Sequence, residues 1–285
     1  MGIAKEAPFL FLGRSCHEKQ KLCKNRQRRK RGEQNMKEQL YTIPVNEAFD
    51  SACECPICRM RHTLEENALE FTLGPSYMED DVRMVTDRIG FCERHVEALY
   101  QRQNRLGLAL MLKTHADRIL REAERLSGGF KTGKGGLWKR NRTEETHPLA
   151  AYLGQLETGC FVCNRIGEVM ERYLATVFYL YEHEEEFRQK VRRCKGFCNG
   201  HYRLLLNEAG KQLGTGRAEE FCQAASEAYL EGMKRVRDDL SWFIDKFDYR
   251  YVNEPWKNAK DALQRMMLKQ NGVFYSEETQ KQEKK

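Results

Sequence analysis

Two thiols three positions apart, Cys55 and Cys58, are followed by Cys92 and His95, with 33 residues between Cys58 and Cys92. The same order recurs as Cys160 and Cys163, then Cys198 and His201, with 34 residues between Cys163 and Cys198. Each half therefore offers three sulfurs and one imidazole, a donor set that suits one tetrahedral zinc ion. A Cys-x2-Cys turn brings two sulfurs to one side of a tight knuckle. A Cys-x2-His at a helix start puts sulfur and imidazole within one turn of each other.

Taken half by half, the spacing predicts two Zn²⁺ per chain, one per repeat: Cys55, Cys58, Cys92 and His95 in the first, and Cys160, Cys163, Cys198 and His201 in the second. The positive end of a helix would favour the thiolates of Cys92 and Cys198. Backbone N–H groups or Arg94 are expected to temper the net charge of −1 that three thiolates leave on the ion. An iron–sulfur cluster is the alternative cofactor, although such clusters prefer four cysteines. Four protein ligands leave no open coordination position, so the expected role is structural, with binding energy coupled to folding. Cys53, Cys194 and Cys222 stand outside the pattern. Cys53 and Cys194 could serve a switch that ejects zinc on oxidation, but incidental thiols are the plainer reading.

The elements that must position these residues read as helices. Tyr41–Val45 looks like a short extended lead-in because of Pro44, with Asn46 capping a short helix that leads to Cys55. Residues 59–73 are amphipathic and stop at Gly74-Pro75; Glu79-Asp80-Asp81 opens a second helix that runs to Gly90. A third helix is expected over about 93–126, with His115 on it. The second half repeats the plan: counted from Cys58 and Cys163, Glu66 matches Glu171, Leu69 matches Leu174, the acid triple 79–81 matches 184–186, and Arg83 matches Arg188. After His201 a helix runs to about Leu213, Gly214-Thr215-Gly216 breaks it, and a long helix spans about 217–247. Trp242, Phe243, Phe247, Tyr249, Tyr251 and Trp256 form an aromatic segment, and Pro255 is placed at the start of a last helix over about 255–270.

The expected architecture is all-α: two tandem zinc-clipped helical repeats, a long C-terminal helix and the aromatic segment. The boundaries are a basic leader (1–35), a first repeat (36–126), a glycine-rich linker (127–147), a second repeat (148–213), C-terminal helices (214–275) and a charged tail (276–285). The net charge of +7 belongs to the leader, which holds ten Lys/Arg against three acids, while residues 36–285 hold 39 of each sign. A purine-rich codon run can encode Arg29–Glu33, so Met36 is a candidate start if the source is bacterial. Gly128-x4-Gly133-Lys134 imitates a phosphate loop but follows a helix, and Gly135 stands where a hydroxyl would hold magnesium. No run of about 18 apolar residues is present and no export signal is recognisable, so no membrane contact and a cytoplasmic setting are expected.

Residues 36–270 resemble a bacterial protein family of unknown function. The resemblance rests on Met36–Val45, Cys55-Pro56-Ile57-Cys58, Leu73–Glu79, Gly90-Phe91-Cys92, Asn104–Met111, Gly196-Phe197-Cys198 and Glu254-Pro255-Trp256. It implies a cytoplasmic bacterial protein beginning near Met36, and it brings no activity, substrate or partner.

The leading functional reading is a non-enzymatic structural or regulatory module that binds a protein partner. A thiol-based redox or zinc-responsive sensor is the second. Nucleic-acid binding is the third, and charge neutrality after Met36 argues against it. No nucleophile–base arrangement or cofactor fingerprint points to an enzyme. His62 and His115 read as solvated or core histidines, and the acid triples as helix-start stabilisers.

Overall fold

The computed structural model describes residues 41–127 and 147–274. The leader, the linker with its phosphate-loop imitation, and the charged tail lie outside the described residues. Among the described residues the chain is all-α. A helix α1 covers 41–50, followed by α2 (Pro56–Leu73), a 3-10 turn (Pro75–Met78), α3 (Asp80–Ile89), α4 (Glu93–Tyr100) and α5 (Arg105–Ser127). The second half continues with α6 (Pro148–Thr158), α7 (Phe161–His183), α8 (Glu185–Arg193), α9 (Asn199–Gln212), α10 (Thr215–Asp245), a 3-10 turn (Tyr249–Tyr251) and α11 (Ala262–Asn271). The repeat is visible in this order, with α2, α3, α4 and α5 matching α7, α8, α9 and α10.

The centre of the molecule is the pairing of α2 with α7, the most extensive contact between helices. Arg165, near the start of α7, lies 3.6 Å over the ring of Phe71 near the end of α2, so the two run antiparallel. Their buried faces repeat at helical spacing: Ile57, Met60, Leu64, Ala68 on one and Val162, Ile166, Tyr173, Val177 on the other.

Three expectations need correction. The lead-in is helical, not extended. Pro44 is accommodated within α1, and Val45, Ala48 and Phe49 bury one face, Phe49 packing 4.9 Å from Phe187. Asn46 consequently lies inside α1, where its Nδ2 donates to Thr42 O at 3.1 Å. The single long helix over 93–126 is broken between Tyr100 and Arg105. Asn104 Oδ1 accepts from Gly107 N–H at 2.9 Å, starting α5, while its Nδ2 donates to Leu73 O at 2.8 Å, closing the end of α2. One amide side chain thus ends one helix and begins another.

The last helix starts at Ala262, not Pro255. Residues 251–256 are held back against the end of α10, where Trp242 Nε1 donates to Pro255 O at 3.0 Å. Lys246 Nζ donates to the carbonyls of Tyr251 and Val252 at 2.6 and 2.9 Å, and also to that of Glu254. The acid triples do sit at helix starts, in the first turns of α3 and α8.

Each Gly-Phe-Cys turn needs its glycine. Gly196 has φ +97°, and a Cβ there would lie 2.5 Å from the carbonyl oxygen of Ala228 on α10. Gly90 has φ +63° and lies equally tight against the His115 imidazole on α5. Gly196→Ala is therefore expected to cost at least about 2 kcal/mol, from left-handed strain plus overpacking against backbone. Urea unfolding measures it, and an unchanged midpoint would contradict the close approach of Gly196 to Ala228.

Candidate metal centres

The eight predicted ligands gather into two clusters, but the clusters are crossed. Cys55 and Cys58 of the first half meet Cys198 and His201 of the second, whereas Cys92 and His95 meet Cys160 and Cys163. The one-per-repeat pairing is thus corrected to two sites that each bridge both repeats. The physical reason is the antiparallel α2–α7 pairing. Each Cys-x2-Cys turn lies at the start of its helix, so it is carried away from the Cys-x2-His of its own half and toward that of the other.

The local geometry is common to all four ligand pairs. Cys55, Cys92, Cys160 and Cys198 are the N-cap residues of α2, α4, α7 and α9. The second ligand of each pair follows three residues later, in the first turn and on the same side as the cap. Cys-x2-Cys and Cys-x2-His are therefore one motif. Each centre sits between two helix N-termini, whose partial positive charge offsets the negative charge of gathered thiolates. Backbone donors add to this: Cys163 N–H donates to Cys160 Sγ at 3.4 Å and His201 N–H to Cys198 Sγ at 3.5 Å.

In the first centre, called inner, Cys55, Cys58 and Cys198 are buried and His201 is half-buried. Its Nδ1 lies 3.6, 3.2 and 3.2 Å from the sulfurs of Cys55, Cys58 and Cys198, and the sulfurs of Cys58 and Cys198 are 3.6 Å apart. In the outer centre, His95 Nδ1 lies 3.2, 3.3 and 3.2 Å from the sulfurs of Cys92, Cys160 and Cys163. The sulfurs of Cys92 and Cys163 are 3.9 Å apart. A zinc tetrahedron with ordinary bond lengths has S···S edges of about 3.8 Å and S···N edges of about 3.5 Å. Both clusters fit it within a few tenths of an ångström, and none of these cysteines is in a disulfide.

Without metal, three thiols this close cannot all ionise. In the inner centre the neighbouring thiols donate to Cys198 and bring its pKa far down, while burial pushes Cys55 up. In the outer centre burial opposes the ionisation of Cys160, but hydrogen bonding from His95 brings it down to about 6. Burial and the neighbouring Cys160 push Cys163 up to about 12. Loading either centre therefore displaces protons, and metal is held less tightly as the pH falls.

The second ring of contacts differs between the centres. His95 Nε2 lies 3.1 Å from Glu65 Oε1, and Arg94 bonds the same carboxylate. Arg94 thus reaches Glu65 rather than a sulfur. Burial alone would raise the Glu65 pKa, yet His95 and Arg94 hold it down at about 2. This carboxylate fixes the imidazole with Nδ1 toward the sulfurs, an arrangement common behind metal-bound histidines. At the matching offset in α7 stands Met170. Glu66, the carboxylate that the repeat selects, pairs with Arg102 at 2.5 Å instead. Glu65→Gln should weaken metal binding at the outer centre about 10–100-fold and leave the inner one unchanged. Competition with a chromophoric chelator reads both steps, and equal weakening of both would count against it.

Behind the inner centre lies a buried charge cluster that nothing in the sequence pattern announced. Lys269, fully buried on α11, donates to the carbonyl of Glu54 at 2.8 Å and to that of Lys195 at 2.7 Å. Those carbonyls immediately precede the two ligand turns of the inner centre. Glu54, also buried, takes both Arg235 nitrogens at 3.0 and 2.6 Å and lies 3.3 Å from Lys269 Nζ. At the outer centre a direct backbone hydrogen bond does the same work, Phe161 N–H donating to Gly90 O at 3.0 Å.

The remaining candidates are structural contacts. His115 Nδ1 lies 2.7 Å from Asp87 O, and His62 stacks on Phe274. Cys194 Sγ lies 3.2 Å from Val191 O, and burial pushes its pKa up to about 11. No described helix is long and apolar enough to cross a membrane.

A family model covers residues 36–277, the span that holds both centres and every described helix. The chain belongs to a family of unknown function, DUF6062. No curated protein and no solved structure matches it. The family carries no assigned activity, so the function of this member is argued from its centres.

Proposed function

We propose that this DUF6062 chain is a non-catalytic two-zinc protein whose metal ions tie its two helical repeats across each other. The observation that carries the reading is the crossing itself, with each Cys3His set drawn from both halves at zinc-tetrahedron spacing. A Cys3His set fills all four positions of zinc, which supports a structural ion over a hydrolytic one. Thiolate-rich centres that stay loaded need a reducing setting, which supports a cytoplasmic location.

The locked helices would serve to present a fixed surface to a protein partner. Apolar side chains remain exposed at the end of α10, where Ile244, Phe247, Tyr249 and Val252 project, and beside a cleft of about 570 Å³ between α3 and α5, lined by Met78 and Met84. Charge balance over residues 36–285 supports protein over nucleic acid as the partner. A steeply salt-dependent affinity for DNA or RNA would reverse that preference.

Zinc stoichiometry in paired substitutions tests the core of the proposal. Cys58→Ser with Cys198→Ser should remove one ion and leave one, because both belong to the inner centre. Cys58→Ser with Cys92→Ser should remove both. Pairing within each repeat would give the opposite pattern, and a full-length chain that carries no zinc would end the reading.

A further inference from the structure

The two centres differ in what protects them. At the inner one, three sulfurs are buried, α11 covers the cluster, and a Cβ added at Gly272 would lie 4.0 Å from Cys198 Sγ. Lys269 clamps both ligand turns from behind. At the outer one, His95 and Cys160 are buried but Cys163 is exposed and Cys92 half-exposed. Its two solvent-facing ligands are also neighbours, with sulfurs 3.9 Å apart. One ligand comes from each repeat.

We propose that the outer centre is an exchangeable, oxidant-responsive site for hydroperoxides, in which Cys163 is attacked and Cys92 resolves, while the inner centre is permanent. The proposal rests on the two-zinc reading above and adds which ion can leave, and by what chemistry. The exposed Cys163 sulfur donates an electron pair to the distal oxygen of a hydroperoxide. The O–O bond breaks, Cys163 becomes a sulfenic acid, and the other oxygen leaves as water or an alcohol after taking a proton. The Cys92 thiolate then attacks the Cys163 sulfur, forming the S–S bond and releasing hydroxide, which takes a second proton. Two thiolates are oxidised by two electrons and one peroxide is reduced. Only His95 and Cys160 remain as ligands, too few to retain zinc.

The disulfide would join α4 to α7, the same two elements that the metal joins. Oxidation thus empties the centre without freeing the halves from each other. Glu65 keeps hold of His95 throughout, so a dithiol that reduces Cys92–Cys163 restores a site ready to reload.

The test uses the full chain loaded with two zinc ions, treated with hydrogen peroxide in the presence of a chromophoric zinc chelator. One ion per chain should be released, with a Cys92–Cys163 linkage in the peptide map and Cys55, Cys58 and Cys198 still reduced. Dithiothreitol followed by zinc should return the chain to two ions. Cys163→Ser, which opens the outer tetrahedron as Cys58→Ser opens the inner one, should load one ion only, and peroxide should release none of it. Loss of both ions together, first oxidation at the inner cysteines, or a linkage elsewhere would overturn the proposal while leaving the two-zinc reading intact. A chain that never holds zinc would overturn both. The wild-type peptide map decides even if the serine variant folds poorly.

Discussion

Cys58→Ser is expected to leave the chain with one zinc ion and to lower its thermal midpoint by more than 10 °C. Cys58 is buried at the first turn of α2, and its sulfur faces Cys198 Sγ at 3.6 Å and His201 Nδ1 at 3.2 Å. Serine keeps the size but not the thiolate, so the tetrahedron opens. Structural zinc contributes about 10–16 kcal/mol in small metal-dependent folds, which matches or exceeds the roughly 5–15 kcal/mol that holds a typical domain folded.

The helices here also bury a common apolar core, so only part of that energy should appear as lost stability. Even about 5 kcal/mol would move the midpoint by roughly 10–20 °C at this chain length. Elemental analysis and circular dichroism melting read the two outcomes separately. Retention of two ions, or a melting curve unchanged after their loss, would mean that the cluster does not carry the fold. Excess chelator on the wild-type chain should produce a larger drop than the single variant, because it empties both centres.

The second large effect is expected from Lys269→Met, a substitution that removes no ligand. Burial lowers the Lys269 pKa, but the ammonium stays beside Glu54 and donates to two carbonyls. Methionine fills the same space and leaves those carbonyls without their donor. It also leaves Glu54 to Arg235 and to the more distant Arg265, 3.9 Å away. Each stranded buried acceptor costs about 1–3 kcal/mol, and breaking one side of a buried ion pair about 3–5 kcal/mol. These terms overlap, so a total of about 3–5 kcal/mol is expected in urea unfolding of the loaded chain. Zinc affinity should fall at the inner centre alone, since Lys269 holds only its two ligand turns. A variant as stable as wild type, or one that weakens the outer centre equally, would show that the clamp is incidental.

Much of this architecture was legible because the repeat is periodic at two scales. The Cys-x2-Cys and Cys-x2-His pairs mark helix starts, and the offsets of Glu66, Leu69 and the acid triples mark matching helices in each half. The crossing was not legible. Donors of identical type at equal spacing can close within a repeat or between repeats, and only the direction in which α7 packs on α2 decides which. The role of Asn104 was hidden inside the single helix expected over about 93–126, because a cap is recognised by the helix end it meets, here the carbonyl of Leu73.

Glu65 sits one position from the residue that the repeat singles out, and its role depends on an imidazole thirty positions away in sequence. Lys269 offers no signal at all, since a lysine in an amphipathic helix ordinarily reads as solvated. Its burial is possible because Gly196 and Gly232 leave room for it, a Cβ on Gly232 falling 2.8 Å from Nζ. That coincidence of three distant residues exists only in the folded chain.

The crossing also sets an order of events during synthesis. Cys58 and His201, ligands of one ion, are 143 positions apart. At a translation rate of about 5–20 residues per second, the first thiols wait roughly 7–30 s before their partners are made. The outer centre gains its last ligand at Cys163 and the inner one only at His201, so the exposed site can fill first and the buried one closes last. A nascent first half holds three of the six ligand sulfurs and one of the two imidazoles, and completes neither crossed site. A chain truncated before Cys160 would therefore leave all the thiols of the first half without their partners.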